Sequence, residues 1–356
     1  MPEHLKILTG EAVELLKELI SIPSFSREEQ GTATLIENFL QQKNMAFTRS
    51  GNNVIARNRY FDAAKATILL NSHHDTVKPD PGYTRDPFVA FEENGRITGL
   101  GSNDAGASLV SLINVFRHFY ESTELKYNLV LAATAEEEIS GTGGIESVIP
   151  FLPPIAFALV GEPTGMQMAI AERGLMVLDC NSAGKAGHAA RDEGENAIYN
   201  ALEDIRAVRD LRLERESPLL GKSRLTVTVI ETTNKAHNVV PANCHFVIDT
   251  RINELYSFEE VIEIIRGSVK CEITPRSTRL RSSIIPLDHP IVAAGTGLGL
   301  DHYGSPTTSD KALMPFPALK IGPGDSARSH TADEYIYINE IAGGIDIYTR
   351  LLNQVL

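Results

Sequence analysis

Apolar residues recur along the chain in two rhythms. Over 11–20 they fall at helical spacing (Val13, Leu15, Leu16, Leu19, Ile20), until Pro23 and the serines around it break the pattern. A second helical face, over 29–43, carries Ala33, Ile36, Phe39 and Leu40. Between helical stretches lie short continuous apolar runs: 54–57 after the turn at Asn52-Asn53, then 67–75, 127–133 and 155–160. Strands buried on both faces of a parallel sheet read this way. A loop rich in Pro, Gly and Asp spans 78–87, and 99–104 leads into an apolar helix over 105–120. Strands alternating with helices predict an α/β fold, a mostly parallel sheet covered on both faces.

The rhythm changes after Ala169. Stretches 175–182, 225–230 and 245–251 mix apolar and polar residues like half-exposed strands, with helical patterns over 196–212 and 258–265. This predicts an inserted α+β domain over 170–285, with an antiparallel sheet, helices on one face and an edge that could pair with another copy. Residues 286–356 then rejoin the domain begun by 1–169, ending in a helix over 339–352. The chain shows no internal repeat and no low-complexity segment.

Three runs of β-type residues end abruptly in chemistry: His73-His74-Asp75, Thr134-Ala135-Glu136-Glu137-Glu138 and Gly161-Glu162-Pro163. Ligands of open α/β sheets gather at the carboxyl ends of parallel strands. In an extended segment His73 and Asp75 point to the same side. His73 can offer a neutral ring nitrogen to a metal while Asp75 accepts from the other ring N–H and fixes the tautomer. His73, Asp104, Glu138, Glu162 and His330 together supply nitrogen and carboxylate ligands without thiolate, a mixture that suits zinc or another divalent first-row metal. One Asp can bridge two metals that lie ~3.5–4 Å apart. Taken singly, each residue has a plainer explanation. Asp104 is placed to cap the helix that follows, Glu136-Glu137-Glu138 reads as a solvated charge run, Glu162 as a turn residue before Pro163, and His330 as a loop imidazole. The metal reading rests on all five falling where one sheet would bring them together.

Composition narrows the partners. The 356 residues carry 33 basic against 46 acidic side chains, a net charge of −13, with 42% hydrophobic residues. Two domains with ample cores are expected. The acidic balance argues against nucleic acid or an anionic membrane as partner, since both select clustered Lys and Arg. Cys180, Cys244 and Cys271 lack CxxC-type spacing, as reduced thiols would. Met1-Pro2-Glu3-His4 does not open a basic and then apolar leader, and no run of ~18 apolar residues occurs. A soluble, cytoplasmic protein is the expectation. No GxGxxG or GxxxxGK run follows a strand, which disfavours a nucleotide-binding protein.

The blocks His73-His74-Asp75, Gly101-Ser102-Asn103-Asp104, Glu136-Glu137-Glu138, Gly161-Glu162-Pro163 and Gly322-Pro323-Gly324 with Ser329-His330 resemble, in order and spacing, the M20 metallopeptidase and deacylase family. The likeness covers essentially the whole chain and is greatest to the acetylornithine deacetylase and N-succinyl amino acid desuccinylase branch. It implies a zinc-aminopeptidase-like sheet with an inserted lid domain that mediates homodimerisation. It further implies two divalent metal ions, zinc or cobalt. His73, Asp104 and Glu162 would hold one ion, and Asp104, Glu138 and His330 the other. Asp75 would orient His73, and Glu137 would act as general base. The family commonly has Asp where this chain has Glu136. His188, in Gly187-His188, resembles the lid histidine that stabilises the oxyanion, apparently across the dimer. Arg173 and Arg251 resemble carboxylate-clamping arginines, and Asn238 a backbone-facing residue of the same pocket. Thr308-Ser309-Asp310 fits either that pocket or a helix cap. The implied activity removes a small acyl group from an N-acyl amino acid, N-acetyl- or N-succinyl-ornithine of arginine biosynthesis. Desuccinylation of N-succinyl-diaminopimelate and di- or tripeptidase activity are the alternatives, and a metal-free binding protein on the same scaffold is the reading from another class.

Overall fold

The computed structural model describes residues 2–191 and 193–356. The chain divides into two compact units, Met1–Ile170 with Ile285–Tyr303 and Ser309–Leu356, and Ala171–Ile284 with Gly304–Thr308.

The first unit is built on a mixed sheet. Across it the strands run Phe47–Ser50, Asn53–Arg57, Asn128–Thr134, Thr67–His73, Ile155–Val160, Ala318–Lys320 and Met168–Glu172. The four strands from Asn128–Thr134 to Ala318–Lys320 are mutually parallel. Antiparallel neighbours flank this core on both sides. Phe47–Ser50 and Asn53–Arg57 are joined only by Gly51-Asn52, with Gly51 at φ 60°, and so short a link permits only an antiparallel pair. Every residue of Thr67–His73 and of Asn128–Thr134 is buried. Both sheet faces are covered, which explains the unbroken apolar runs. Helices Glu3–Ile20, Ala107–Phe119 and Ile338–Val355 pack on one another, and Ala107–Phe119 also packs on the strands. A further cluster joins Leu69, Val130, Ala132, Ala158 and Val160 to Ile145 and Val148.

Helix Glu3–Ile20 begins well before the expected start, because Leu5 and Leu8 extend its buried stripe past Gly10. The expected helix over 105–120 is Ala107–Phe119, preceded by an irregular turn over Ser102–Gly106. Asp104 lies in that turn with non-helical dihedrals, and no side chain caps the helix. The capping explanation of Asp104 is therefore set aside.

The second unit carries a four-stranded antiparallel sheet in the order Arg224–Glu231, Asn243–Ile252, Gly174–Ala183, Glu272–Pro275. Burial alternates along Gly174–Ala183, as the half-exposed reading requires. Met176, Leu178, Phe246 and Ile248 pack with Ala201, Val208, Val261 and Ile265 of helices Ala197–Asp210 and Phe258–Arg266. Asn196 and Ser257 cap these two helices through their side chains. All three cysteines, in this unit, are free.

Leu69 is fully buried at the middle of the parallel core. Leu69→Ala is expected to cost about 2–5 kcal/mol, through lost transfer energy and the cavity left behind. Urea denaturation followed by tryptophan-independent far-UV circular dichroism measures it.

Candidate metal centre

Parallel register brings the strand ends to one place. His73 stands opposite Thr134 and Asn71 opposite Val160, so the chain leaves three neighbouring strands at the same level. His73 ends its own strand, Glu136 to Glu138 follow the second and Glu162 the third. His73 Nε2 lies 3.3 Å from Asp104 Oδ1 and 3.8 Å from both Glu137 Oε2 and Glu162 Oε1. His330 Nε2 lies 2.9 Å from Glu138 Oε2 and 3.7 Å from Asp104 Oδ2. Asp104 thus turns one carboxylate oxygen to each histidine, the disposition of a bridging ligand. Donor atoms of His73, Asp104 and Glu138 lie mutually within 4.8 Å, as do those of His73, Glu137 and Glu162. Glu137, read from the sequence as a base, thus shares a cluster with two expected ligands.

The solvated-run explanation of the three acids fails on exposure, since the Glu137 and Glu138 side chains are only 14% and 7% accessible. Glu136 is different. It adopts φ 57°, and its carboxylate turns away to accept the Gly143 N–H.

Asp75 approaches the His73 ring through two groups. His73 Nδ1 lies 3.0 Å from the backbone carbonyl of Asp75 and 3.5 Å from its carboxylate. The carboxylate also accepts the N–H groups of Glu137 and Glu138, each at 3.1 Å, and the Ser26 hydroxyl at 2.7 Å. Asp75 therefore grips the loop that carries the two glutamates, and its main-chain oxygen fixes the His73 tautomer. Either contact leaves Nε2 free to face Asp104.

Three further acids support the donors, of which the sequence reading singles out only Asp310, in Thr308-Ser309-Asp310. Glu29, fully buried, accepts the N–H groups of Arg27 and Glu136 and the Asn52 amide. Asp310 accepts the Thr134 hydroxyl at 2.8 Å, while Ser309 caps the short turn after it. Glu334 accepts three backbone N–H groups of the Asp104 loop. Acids in loops carry no periodic signal.

Charge in this region is unbalanced. Burial alone would lower the His73 pKa, but Glu137, Asp104, Asp75 and Glu162 outweigh it and hold the imidazole well above its usual range. Burial pushes Glu137 well above the carboxylate range, His73 draws it back, and Glu162, Asp310 and Glu138 push it up again. Burial likewise raises Asp310 to about 6. The hydrogen bond to Glu138 raises His330 to about 9. A nest of buried carboxylates with two imidazoles and no thiolate or lysine among its donors matches the chemistry of divalent first-row cations. The residues fit such a centre.

The remaining candidates belong to the second unit. His188 is exposed, pairs with Val239, and accepts the Ala190 N–H at Nδ1. Asn238 is its near neighbour there, accepting the Ala189 N–H through its backbone carbonyl. Arg251 chelates Asp249 and stands directly across the sheet from Arg224. Arg173 donates to the Leu220 carbonyl, and its buried Nε has no partner. Burial, then Arg224 and Arg251, lowers the Arg173 pKa, so these three guanidinium groups form one positive cluster.

The model of peptidase family M20/M25/M40 matches residues 69–354. The chain belongs to this family. A succinyl-diaminopimelate desuccinylase of Dinoroseobacter shibae is 29% identical, over 96% of this chain and 98% of its own. An acetylornithine deacetylase of Proteus mirabilis is 26% identical over 91% of each chain. The aminopeptidase PepT of Bacillus cereus shares the fold with a TM-score of 0.79 at 16% identity, over 98% of both chains. This M20 protein is a metal-dependent hydrolase acting on amide bonds. No helix among the described residues is long and apolar enough to cross a membrane.

Chelator-stripped protein is expected to melt at a lower temperature than the protein with added zinc, because bound cations relieve carboxylate repulsion. A free metal concentration 100 times Kd corresponds to about 2.7 kcal/mol. Differential scanning calorimetry with and without metal checks it.

Proposed function

We propose that this M20 hydrolase cleaves the amide between a small acyl group and the amino nitrogen of an amino acid. The observation that carries the reading is Asp104, which offers Oδ1 to His73 and Oδ2 to His330. His73 and Glu162 would hold one divalent ion and Glu138 and His330 the other, with Asp104 offering an oxygen to each side. Zinc suits this donor set best, with cobalt a workable substitute. When bound, the ions would supply positive charge that acidifies water at the site and stabilises developing negative charge.

Glu137 would take a proton from the attacking water as its oxygen adds to the acyl carbonyl carbon, and return that proton to the amino nitrogen as the C–N bond breaks. Its burial beside Glu162 supports the role, since a base that must hold a proton between two transfers needs raised proton affinity. His188 donates to the oxygen of the tetrahedral intermediate. The second unit acts as a lid, and its edge strand Arg224–Glu231, with Val229 and Ile230 exposed, pairs with a second copy.

The cluster of Arg173, Arg224 and Arg251 favours an acyl or amino acid portion that carries carboxylates, because a planar guanidinium recognises carboxylate with two parallel hydrogen bonds. Asn238 contributes to the same pocket. N-succinyl amino acids satisfy this better than N-acetyl ones, and the desuccinylase and deacetylase relatives support both. N-succinyl-ornithine and N-succinyl-diaminopimelate are the leading substrates, with N-acetylornithine behind them.

Turnover of these three compounds and of dipeptides by zinc- and cobalt-loaded protein tests the reading. The highest kcat/KM is expected with a succinyl compound, and hydrolysis of dipeptides alone would refute it. Glu137→Gln is expected to lower kcat by about 10²–10⁴-fold with metal content unchanged. Glu138→Gln should lose part of the metal, as elemental analysis would show.

A further inference from the structure

We propose that Glu334 is a positioning residue that holds Asp104 and His330 at the spacing a two-metal centre needs; this rests on the metal-centre reading above. Glu334 is 2% exposed. One carboxylate oxygen, Oε1, accepts the N–H groups of Asn103 and Asp104, each at 2.8 Å, and Oε2 accepts the Gly101 N–H at 3.1 Å. Its backbone carbonyl accepts the Gly99 N–H at 2.9 Å. A single residue thus satisfies four amides of the six-residue stretch from Gly99 to Asp104.

Beyond Glu334 the stretch is tied by the Leu100 N–H to the Pro87 carbonyl and by the Asn103 side chain to Asp325 and Ser329. It lies outside any regular helix or strand, with Gly101 at φ 73° and Asp104 at φ −113°, ψ 101°. Charge-assisted hydrogen bonds to backbone N–H groups are among the stronger and more directional contacts available to it. Glu334 also lies four residues beyond His330, on the segment that runs into the strand Tyr335–Tyr337. That strand pairs with Arg96–Thr98, setting Tyr335 opposite Thr98. The loop carrying Asp104 and the segment carrying His330 are therefore tied together at one carboxylate, which itself belongs to neither donor cluster. Glu334 acts through Asp104 and His330 and touches no reacting atom.

The chemistry also specifies a carboxylate. A glutamine of the same shape offers a single acceptor oxygen, and its NH₂ group would confront a buried N–H donor of the loop. Aspartate keeps the charge but stops one methylene short.

Calorimetric titration of chelator-stripped protein with Zn²⁺ tests the proposal on wild type, Glu334→Gln and Glu334→Asp, each first shown to be folded by circular dichroism. Wild type should bind two ions. Glu334→Gln should bind the weaker ion about 10–100-fold less tightly, with kcat reduced and KM within about two-fold of wild type. Glu334→Asp should fall between. Wild-type affinity for both ions in either variant overturns the proposal, and so does failure of both variants to fold, which would make Glu334 a structural residue only. A wild-type chain that binds no zinc would instead overturn the metal-centre reading.

Discussion

Buried carboxylates that accept backbone N–H groups are the interaction on which the rest of the centre depends. Asp75 holds the amides of Glu137 and Glu138, Glu29 holds that of Glu136, and Glu334 holds those of Gly101, Asn103 and Asp104. A buried charge is costly unless it is well hydrogen-bonded. Here each charge fixes a loop that has no ladder of its own. The parallel sheet brings the loops to one edge, and these anions set where each side chain points within it.

The same arrangement explains why the site is so unevenly charged. The acids that shape the loops add to the acids of the two donor clusters, and His73 and His330 are too few to balance them. Stability has been traded for a strong preference for cations, a pattern common at functional sites, where local rules are broken and compensated elsewhere.

Much of this was legible in the sequence. The apolar runs opening 67–75 and spanning 127–133 signalled strands buried on both faces, and their abrupt polar ends pointed to the centre. The mixed apolar and polar stretch over 175–182 signalled a half-exposed strand of the second unit. What the pattern could not carry was the role of single acids in loops. Asp75 reads from the sequence as a partner for the His73 ring, and its carboxylate also accepts the neighbouring backbone N–H groups of Glu137 and Glu138. Glu29 and Glu334 stand among ordinary surface-like residues, and only tertiary structure reveals that they are buried. The first turns of the helix Glu3–Ile20 lay outside the apolar spacing read over 11–20, although the helix runs unbroken through Gly10.

The first unit is discontinuous, and this has a consequence for biosynthesis. Its parallel strand Ala318–Lys320 and the segment bearing His330 and Glu334 are made only after the whole of Ala171–Ile284. A nascent chain that has emerged as far as Glu162 already holds the acids of the centre, but it lacks the second histidine and the residue that grips the Asp104 loop. Vectorial folding of this unit must therefore wait for the last part of the chain, and the intervening unit, whose main sheet is contiguous in sequence, is free to fold first. A ribosome releasing a product truncated before Ser309 would leave the repulsive half of the centre without its closing strand.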